Sequence, residues 1–188
     1  RRDMAGTIFR QSELMVSIIN ELLDLARIEA RRGMDFVVER QSLSEIVAEV
    51  IAGYKLPDGR EPPVLGKLDW PIFVSVDRNK IQQSVLNILS KAYKYSPNGG
   101  AVSINSRKAV GRIGIEIRDQ GIGMSAQERN RVCERFYRAD TSGKIPGTGL
   151  GMSIVKEIIE LHGGRVELAS SPGNGSKITL WLPVSKHA

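Results

Sequence analysis

The chain has 188 residues, 41% of them hydrophobic, with 27 Lys and Arg against 21 Asp and Glu and a formal net charge of +6. That length is enough to bury an ordinary core without staples, and a single cysteine excludes a disulfide framework or a cysteine-built metal site. The positive balance suits a polyphosphate or an acidic partner; because the charges are dispersed and no aromatic stacking platform accompanies them, nucleic acid is not expected as a partner.

Leu14, Ile18, Leu22, Leu25 and Ile28 recur at intervals of four, four, three and three, and neither glycine nor proline falls between Thr7 and Arg32. The pattern predicts one long helix with a heptad-like stripe. Such a stripe demands cover: a second chain, a missing helix, or the rest of this chain if the helix folds back. Phe36 to Val38 reads as a short strand, and Ser42-Leu-Ser-Glu45 as the capping-box start of a helix running toward Tyr54. Pro57, Pro62 and Pro63 mark a loop, and residues 72–76 read as a strand. From Asp77 to Tyr95, Ile81, Val85, Ile88, Leu89 and Ala92 hold one apolar helix face while Asn87, Lys91 and Lys94 share a second. Segments 101–106, 111–118, 164–169 and 177–182 supply further strands, the second with Ile113, Ile115 and Ile117 inward. Leu150, Ile154, Ile158 and Leu161 keep helical spacing as far as His162-Gly163-Gly164, a glycine stop. This order of mixed strands and long helices predicts an α/β (α+β) two-layer sandwich, a mixed sheet with helices on one face.

Four segments carry the chemistry. The i, i+4, i+7 spacing of Asn87, Lys91 and Lys94 allows three polar side chains to converge on one ligand; on an isolated helix the same residues are an ordinary solvated face. Asp119-Gln-Gly121-Ile-Gly123 ends a strand, where a carboxylate can accept from an exocyclic amine and glycines let the backbone approach a flat base. Gly147-Thr148-Gly149-Leu150-Gly151 opens a helix, where free N–H groups and the helix dipole favour phosphate. Neither a Gly-x-Gly-x-x-Gly nor a Gly-Lys-Ser/Thr motif occurs, which argues against two other nucleotide folds. Gly173-Asn-Gly175-Ser176 reads by itself as a hairpin turn.

In this order and spacing the four segments resemble the ATP-binding domain of two-component sensor histidine kinases, a Bergerat-type ATPase fold. Cys133-Glu-Arg135-Phe136-Tyr137-Arg138 resembles the phenylalanine-containing box of that family and Thr141 to Pro146 its nucleotide lid, with Arg138 and Lys144 as the lid cations; a packing role for Phe136 and solvated cations are the structural alternative. Asn20 to Ala30 resembles the second helix of the dimerisation hairpin. The resemblance implies two parts: residues 1–33, the second helix of a dimerisation and histidine-phosphotransfer domain, and residues 34–188, the ATP-binding catalytic domain. It implies ATP with Mg²⁺, adenine held by Asp119, Gly121 and Gly123, and phosphates and metal handled by Asn87, Lys94, Arg138, Gly147, Gly149 and Gly151, with Thr148 and Leu150 in the same loop. Tyr95 would pack against base or ribose, and Asn87 would be the metal ligand. It also implies a homodimer through the N-terminal helix, a response-regulator receiver domain as partner, and a cytoplasmic location with any membrane anchor upstream.

The phosphoacceptor histidine of that family lies on the first hairpin helix, upstream of this chain. His162 sits at a helix end and His187 in the tail, so no phosphoacceptor is assigned here, and with no initiator methionine the chain reads as a piece of a longer kinase that cannot phosphorylate itself on the usual residue. Position 91 departs from the pattern: the family has asparagine at both positions of the 87/91 pair. Lysine has three donors and no acceptor, so it cannot ligate a cation while charged. Three readings stay open: the ammonium substitutes for metal charge, the domain is degenerate, or the substitution was introduced to disable a kinase. A non-catalytic scaffold that regulates another kinase by dimerising is therefore the alternative function. A serine kinase of the anti-sigma type shares the fold, but the dimerisation-like helix speaks against it.

Overall fold

Two periodicities, two in the strands and 3.6 in the helices, set the framework of the computed structural model, which describes residues 2–66, 73–139 and 147–185. In chain order its elements are α1 (Arg2–Arg31), β1 (Val38–Ser42), α2 (Leu43–Gly53), β2 (Val64–Leu65), β3 (Phe73–Asp77), α3 (Arg78–Lys94), β4 (Ser103–Ala109), β5 (Arg112–Arg118), α4 (Ala126–Arg131), α5 (Gly151–Leu161), β6 (Arg165–Ser170) and β7 (Ser176–Pro183). Lys144, His187 and the start of the strand expected from residue 72 lie outside the described residues.

The alternation of Ile113, Ile115 and Ile117 builds the centre. In the antiparallel β5–β7 pair they stand opposite Leu182, Leu180 and Ile178, giving one continuous apolar face. Around that pair the strands run in the order β2-β4-β5-β7-β6, and β2, parallel to β4, makes the sheet mixed. Helices α3 and α5 lie on this face. Ile81, Val85, Ile88 and Leu89 of α3, and Ile154, Val155, Ile158 and Ile159 of α5, are all buried in one core with the strand isoleucines. Each such side chain contributes about 1.5–3 kcal/mol by leaving water. Asp77 caps α3, accepting from the Lys80 N–H at 3.0 Å. Arg60 closes the other end, donating to Ser96 O at 2.6 Å and Gly100 O at 3.1 Å.

Three differences from the sequence expectation have identifiable causes. The strand expected at 36–38 forms at 38–42, paired with β3 in a separate two-stranded sheet. Phe36 instead stacks on His162 with ring centroids 5.1 Å apart, and the Val37 N–H donates to Asp77 Oδ2 at 2.9 Å, so the ladder begins one residue later. Ser42 then ends the strand and N-caps α2 at once, accepting from the Glu45 N–H. The two-residue β2 follows Pro62-Pro63 where only loop was expected, and α4 was not foreseen, although Ser125-Ala-Gln-Glu128 forms a reciprocal capping box.

The long N-terminal helix divides in use. Its C-terminal part folds back onto α5, with Leu25 4% and Ile28 2% exposed, while Ile8 and Phe9 are 63% and 62% exposed. No helix among the described residues is long and apolar enough to cross a membrane.

His162 ties the end of α5 to the start of α3: its Nε2 accepts from the Asp77 N–H at 2.9 Å and its Nδ1 donates to Ile158 O at 2.7 Å. The Asp77 bond needs the neutral ring, because only then does Nε2 keep a lone pair, and burial holds the pKa below the ordinary 6.5 against the opposing pull of Ile158 O and Asp77. The unfolded chain therefore takes the proton first, so this part of the stability is complete above about pH 6.5 and drains as pH falls through the lowered folded value. Chemical denaturation of His162→Ala should show a loss of about 1–3 kcal/mol at pH 7.5, from the orphaned Asp77 N–H. The same curves should fall less steeply below pH 6.5 than those of the parent chain.

Candidate functional site

Helix α3 and the start of α5 meet so closely that side chains of one fill the space a side chain of the other would need. A Cβ at Gly151 would lie 3.0 Å from Lys91 Nζ and 3.2 Å from Asn87 Oδ1, and one at Gly147 would lie 3.2 Å from Lys94 Nζ. The second face of α3 is thus turned toward the glycine loop, and all three of its polar residues are half-buried rather than solvated. Leu150 N-caps α5 with no side-chain hydrogen bond, which leaves the first turn's N–H groups pointing at the same space as the two ammonium groups.

Burial lowers the pKa of Lys91, and Glu21 of α1 opposes that fall. Lys94 is lowered by burial, then by the charges of Lys91 and Arg138, with Glu21 again opposing. Three cations and a helix N-terminus therefore share one partly desolvated region, an arrangement that seeks an anion of several charges.

Asp119, 6% exposed, sits at the end of β5. Its Oδ1 accepts from the N–H of Gly121 at 2.8 Å and of Ser176 at 3.1 Å, leaving Oδ2 without a partner among the described residues. Burial raises its pKa, and the Gly121 and Ser176 N–H groups pull it back. A carboxylate fixed in this way presents one acceptor to whatever enters. The glycines beside it are required by chain packing: a Cβ at Gly121 would lie 2.1 Å from Tyr95 O, the acceptor of the Ile122 N–H at 3.0 Å. This contact bolts the Asp119 loop to the end of α3. The segment from Gly173 to Ser176, expected only as a turn, is part of the same construction through the Ser176 N–H.

A cavity of about 530 Å³ joins these parts. Lys91, Lys94, Tyr95, Asp119, Gly123, Arg138, Gly147, Thr148 and Gly149 all line it. Asn87, Gly121, Leu150 and Gly151 are not among its lining residues: Asn87 stands against Gly151, Gly121 against Tyr95, and Leu150 is fully buried in the core with its N–H given to Thr148 Oγ1 at 3.1 Å. Lys144 lies outside the described residues. The sequence reading missed the apolar walls of the cavity, Ile117, Ile178, Met152 and Met124, together with Tyr137 and Ser176. Their signal was the inward register of β5 and β7 and the apolar face of α5. Phe136 is 60% exposed and holds a positive φ, and its backbone rather than its ring meets Gly149. A non-glycine residue in that region costs of order 1–3 kcal/mol.

The donor set does not fit a protein-held Mg²⁺. Asn87 offers one amide oxygen, its i+4 neighbour is an ammonium, and among the described residues no three His, Cys, Asp or Glu side chains cluster.

Residues 76–186 match the family described as histidine kinase-, DNA gyrase B-, and HSP90-like ATPase. The chain is 35% identical over 186 residues to the sensor-like histidine kinase SenX3 of Mycolicibacterium smegmatis, covering 97% of this chain and 48% of that protein. It is 33% identical over 180 residues to the sensor histidine kinase WalK of Bacillus subtilis, covering 92% of this chain and 29% of WalK. The chain thus spans about half the length of the first relative and under a third of the second. Among solved structures, the mycobacterial sensor histidine kinase MprB superposes with a TM-score of 0.67 at 29% identity, over 80% of this chain and 100% of that one. With its four motifs gathered around one cavity and its matched region covering more than half its length, the chain belongs to the histidine kinase-, DNA gyrase B- and HSP90-like ATPase family.

Proposed function

We propose that the chain is the ATP-binding catalytic module of a two-component sensor histidine kinase. Residues 34–188 form that module, and residues 1–33 are the second helix of a dimerisation hairpin. The observation that carries the proposal is the joining, in one cavity, of a buried single-acceptor carboxylate at Asp119 with the cation cluster and glycine loop at Lys91, Lys94 and Gly147–Gly149. A purine amine suits the first and a triphosphate the second. Adenine would donate its exocyclic amine to Asp119 Oδ2, with Tyr95 and the apolar walls against the ring, while Lys91, Lys94, Arg138 and the α5 N-terminus take phosphate oxygens.

The chain's residues position the triphosphate and spread its charge, which is most of what a phosphoryl transfer needs. The γ-phosphoryl group passes to an imidazole nitrogen of a histidine outside this chain, releasing ADP, and from there to an aspartate of a response-regulator receiver domain. The exposed apolar part of α1 pairs with a second copy in the whole kinase. The module acts on the cytoplasmic side, where ATP is present.

Lys91 favours a second reading, a nucleotide-binding or scaffold module with little catalysis, because an ammonium stands where a metal ligand would be useful. Calorimetric titration with ATP separates the two. If the ammonium supplies the charge a metal would supply, affinity should change less than about threefold on removal of Mg²⁺, and Lys91→Asn should make binding depend on Mg²⁺. No binding by the parent chain, with binding restored in Lys91→Asn, would leave only the scaffold. Phosphoryl transfer from ATP to a separately produced hairpin carrying an acceptor histidine tests the kinase activity directly.

Asp119→Asn should weaken ATP binding at least about tenfold, since Oδ1 keeps its two N–H donors and the amide NH₂ then faces the base amine. Inorganic tripolyphosphate, which lacks the base, should bind Asp119→Asn as it binds the parent chain.

A further inference from the structure

The cation cluster has an acidic neighbour that the ATP site does not account for, and it comes from α1. Thr148 Oγ1, in the glycine loop, donates to Glu21 Oε2, and Ser17 Oγ donates to Glu21 Oε1 at 3.1 Å, so both carboxylate oxygens are held. Glu21 is also the acidic group whose charge acts on both Lys91 and Lys94. Two polar contacts flank it on the same side of α1: Gln83 of α3 donates to Asp24 Oδ2 at 3.0 Å, and Arg135 pairs with Glu29. Leu25 and Ile28 seal the seam against the core. These acidic residues lie on one helix face, at i, i+3 and i+8, and their partners sit on the glycine loop, on the helix that carries the lysines, and just before Tyr137 of the cavity wall.

We propose that Glu21 is a built-in anion of the nucleotide site: its carboxylate engages Thr148 and faces Lys91 and Lys94 where a phosphate oxygen would bind, so that polyphosphate binding and full docking of α1 exclude each other. The proposal rests on the ATP reading of the cavity and adds a regulator to it. A single carboxylate carries one negative charge against the three or four of a nucleoside triphosphate, so nucleotide displaces Glu21 and loosens α1 from the 147–150 loop. The ammonium of Lys91 makes this exchange possible. An asparagine there would leave only the Lys94 charge for Glu21 to neutralise, so the departure at position 91 belongs to the contact with α1 as much as to the phosphates. The apolar seam at Leu25 and Ile28 remains as a hinge on which the helix end stays attached.

The test is calorimetric titration of the whole chain and of Glu21→Gln with ATP and with inorganic tripolyphosphate, together with amide hydrogen exchange over residues 17–31. Glu21→Gln should bind both ligands about 3- to 30-fold more tightly, because binding no longer has to displace the carboxylate. The gain should shrink in a Lys91→Asn background. ATP should speed exchange over 17–24 in the parent chain, and Glu21→Gln should exchange fast there without ligand. Unchanged affinity in Glu21→Gln, with Asp119→Asn still weakening ATP binding, would overturn the proposal while leaving the ATP site intact. If neither chain binds ATP, the ATP reading has failed, and the exchange rates alone decide whether Glu21 anchors α1: equal rates over 17–24 in the two chains overturn that as well.

Discussion

The close packing of α3 against the first turn of α5 is the constraint from which the site follows. Lys91 and Asn87 crowd Gly151 and Lys94 crowds Gly147, so a larger residue would have to push them aside, and this puts two ammonium groups beside the loop that opens an uncapped helix start. Burial works against both lysines, so their positive charge is maintained at some cost unless an anion is near. The fold thus creates a standing demand for negative charge. In the chain by itself the demand is met by Glu21 of α1, and in a nucleotide complex it would be met by phosphate.

The other end of the cavity works by different physics. Asp119 is held by two backbone N–H groups from separate segments, and Gly121 brings its loop against the carbonyl of Tyr95, the C-cap of α3. The loop is fastened to a helix end on one side and, through Ser176, to the start of β7 on the other. A hydrogen-bond acceptor fixed to the central strand pair discriminates by geometry, whereas the lysine cluster attracts by charge; a purine triphosphate needs both.

The parts legible in the sequence were those decided by local periodicity. The apolar faces of α3 and α5 and the inward isoleucines of β5 each carry their own pattern, and the four motif segments were separated by elements long enough to be recognised. What the sequence hid was decided by distant partners. β1 begins at Val38 because Phe36 is claimed by His162, and Val37 by Asp77, residues that lie far along the chain. The two-residue β2 exists only because β4 offers an edge. The motif glycines were readable as glycines, but the close approach of Gly121 to Tyr95 and of Gly149 to Phe136 depends on which loops meet. For α1 the same stripe would serve a fold-back contact or a second chain. The structure uses Leu25 and Ile28 for the former, while Leu22 of the stripe, and Ile8 and Phe9 ahead of it, are left exposed.

His162 is the only histidine among the described residues, and both of its ring nitrogens are engaged in a nearly closed environment. For an imidazole to accept a phosphoryl group it must present a free lone pair to solvent, and the lone pair of this one, on Nε2, receives the Asp77 N–H. The one histidine of the described residues is therefore closed to phosphorylation as the structure stands. Under the proposed kinase function, any N–P label appearing on an acceptor helix supplied in trans would carry no contribution from His162.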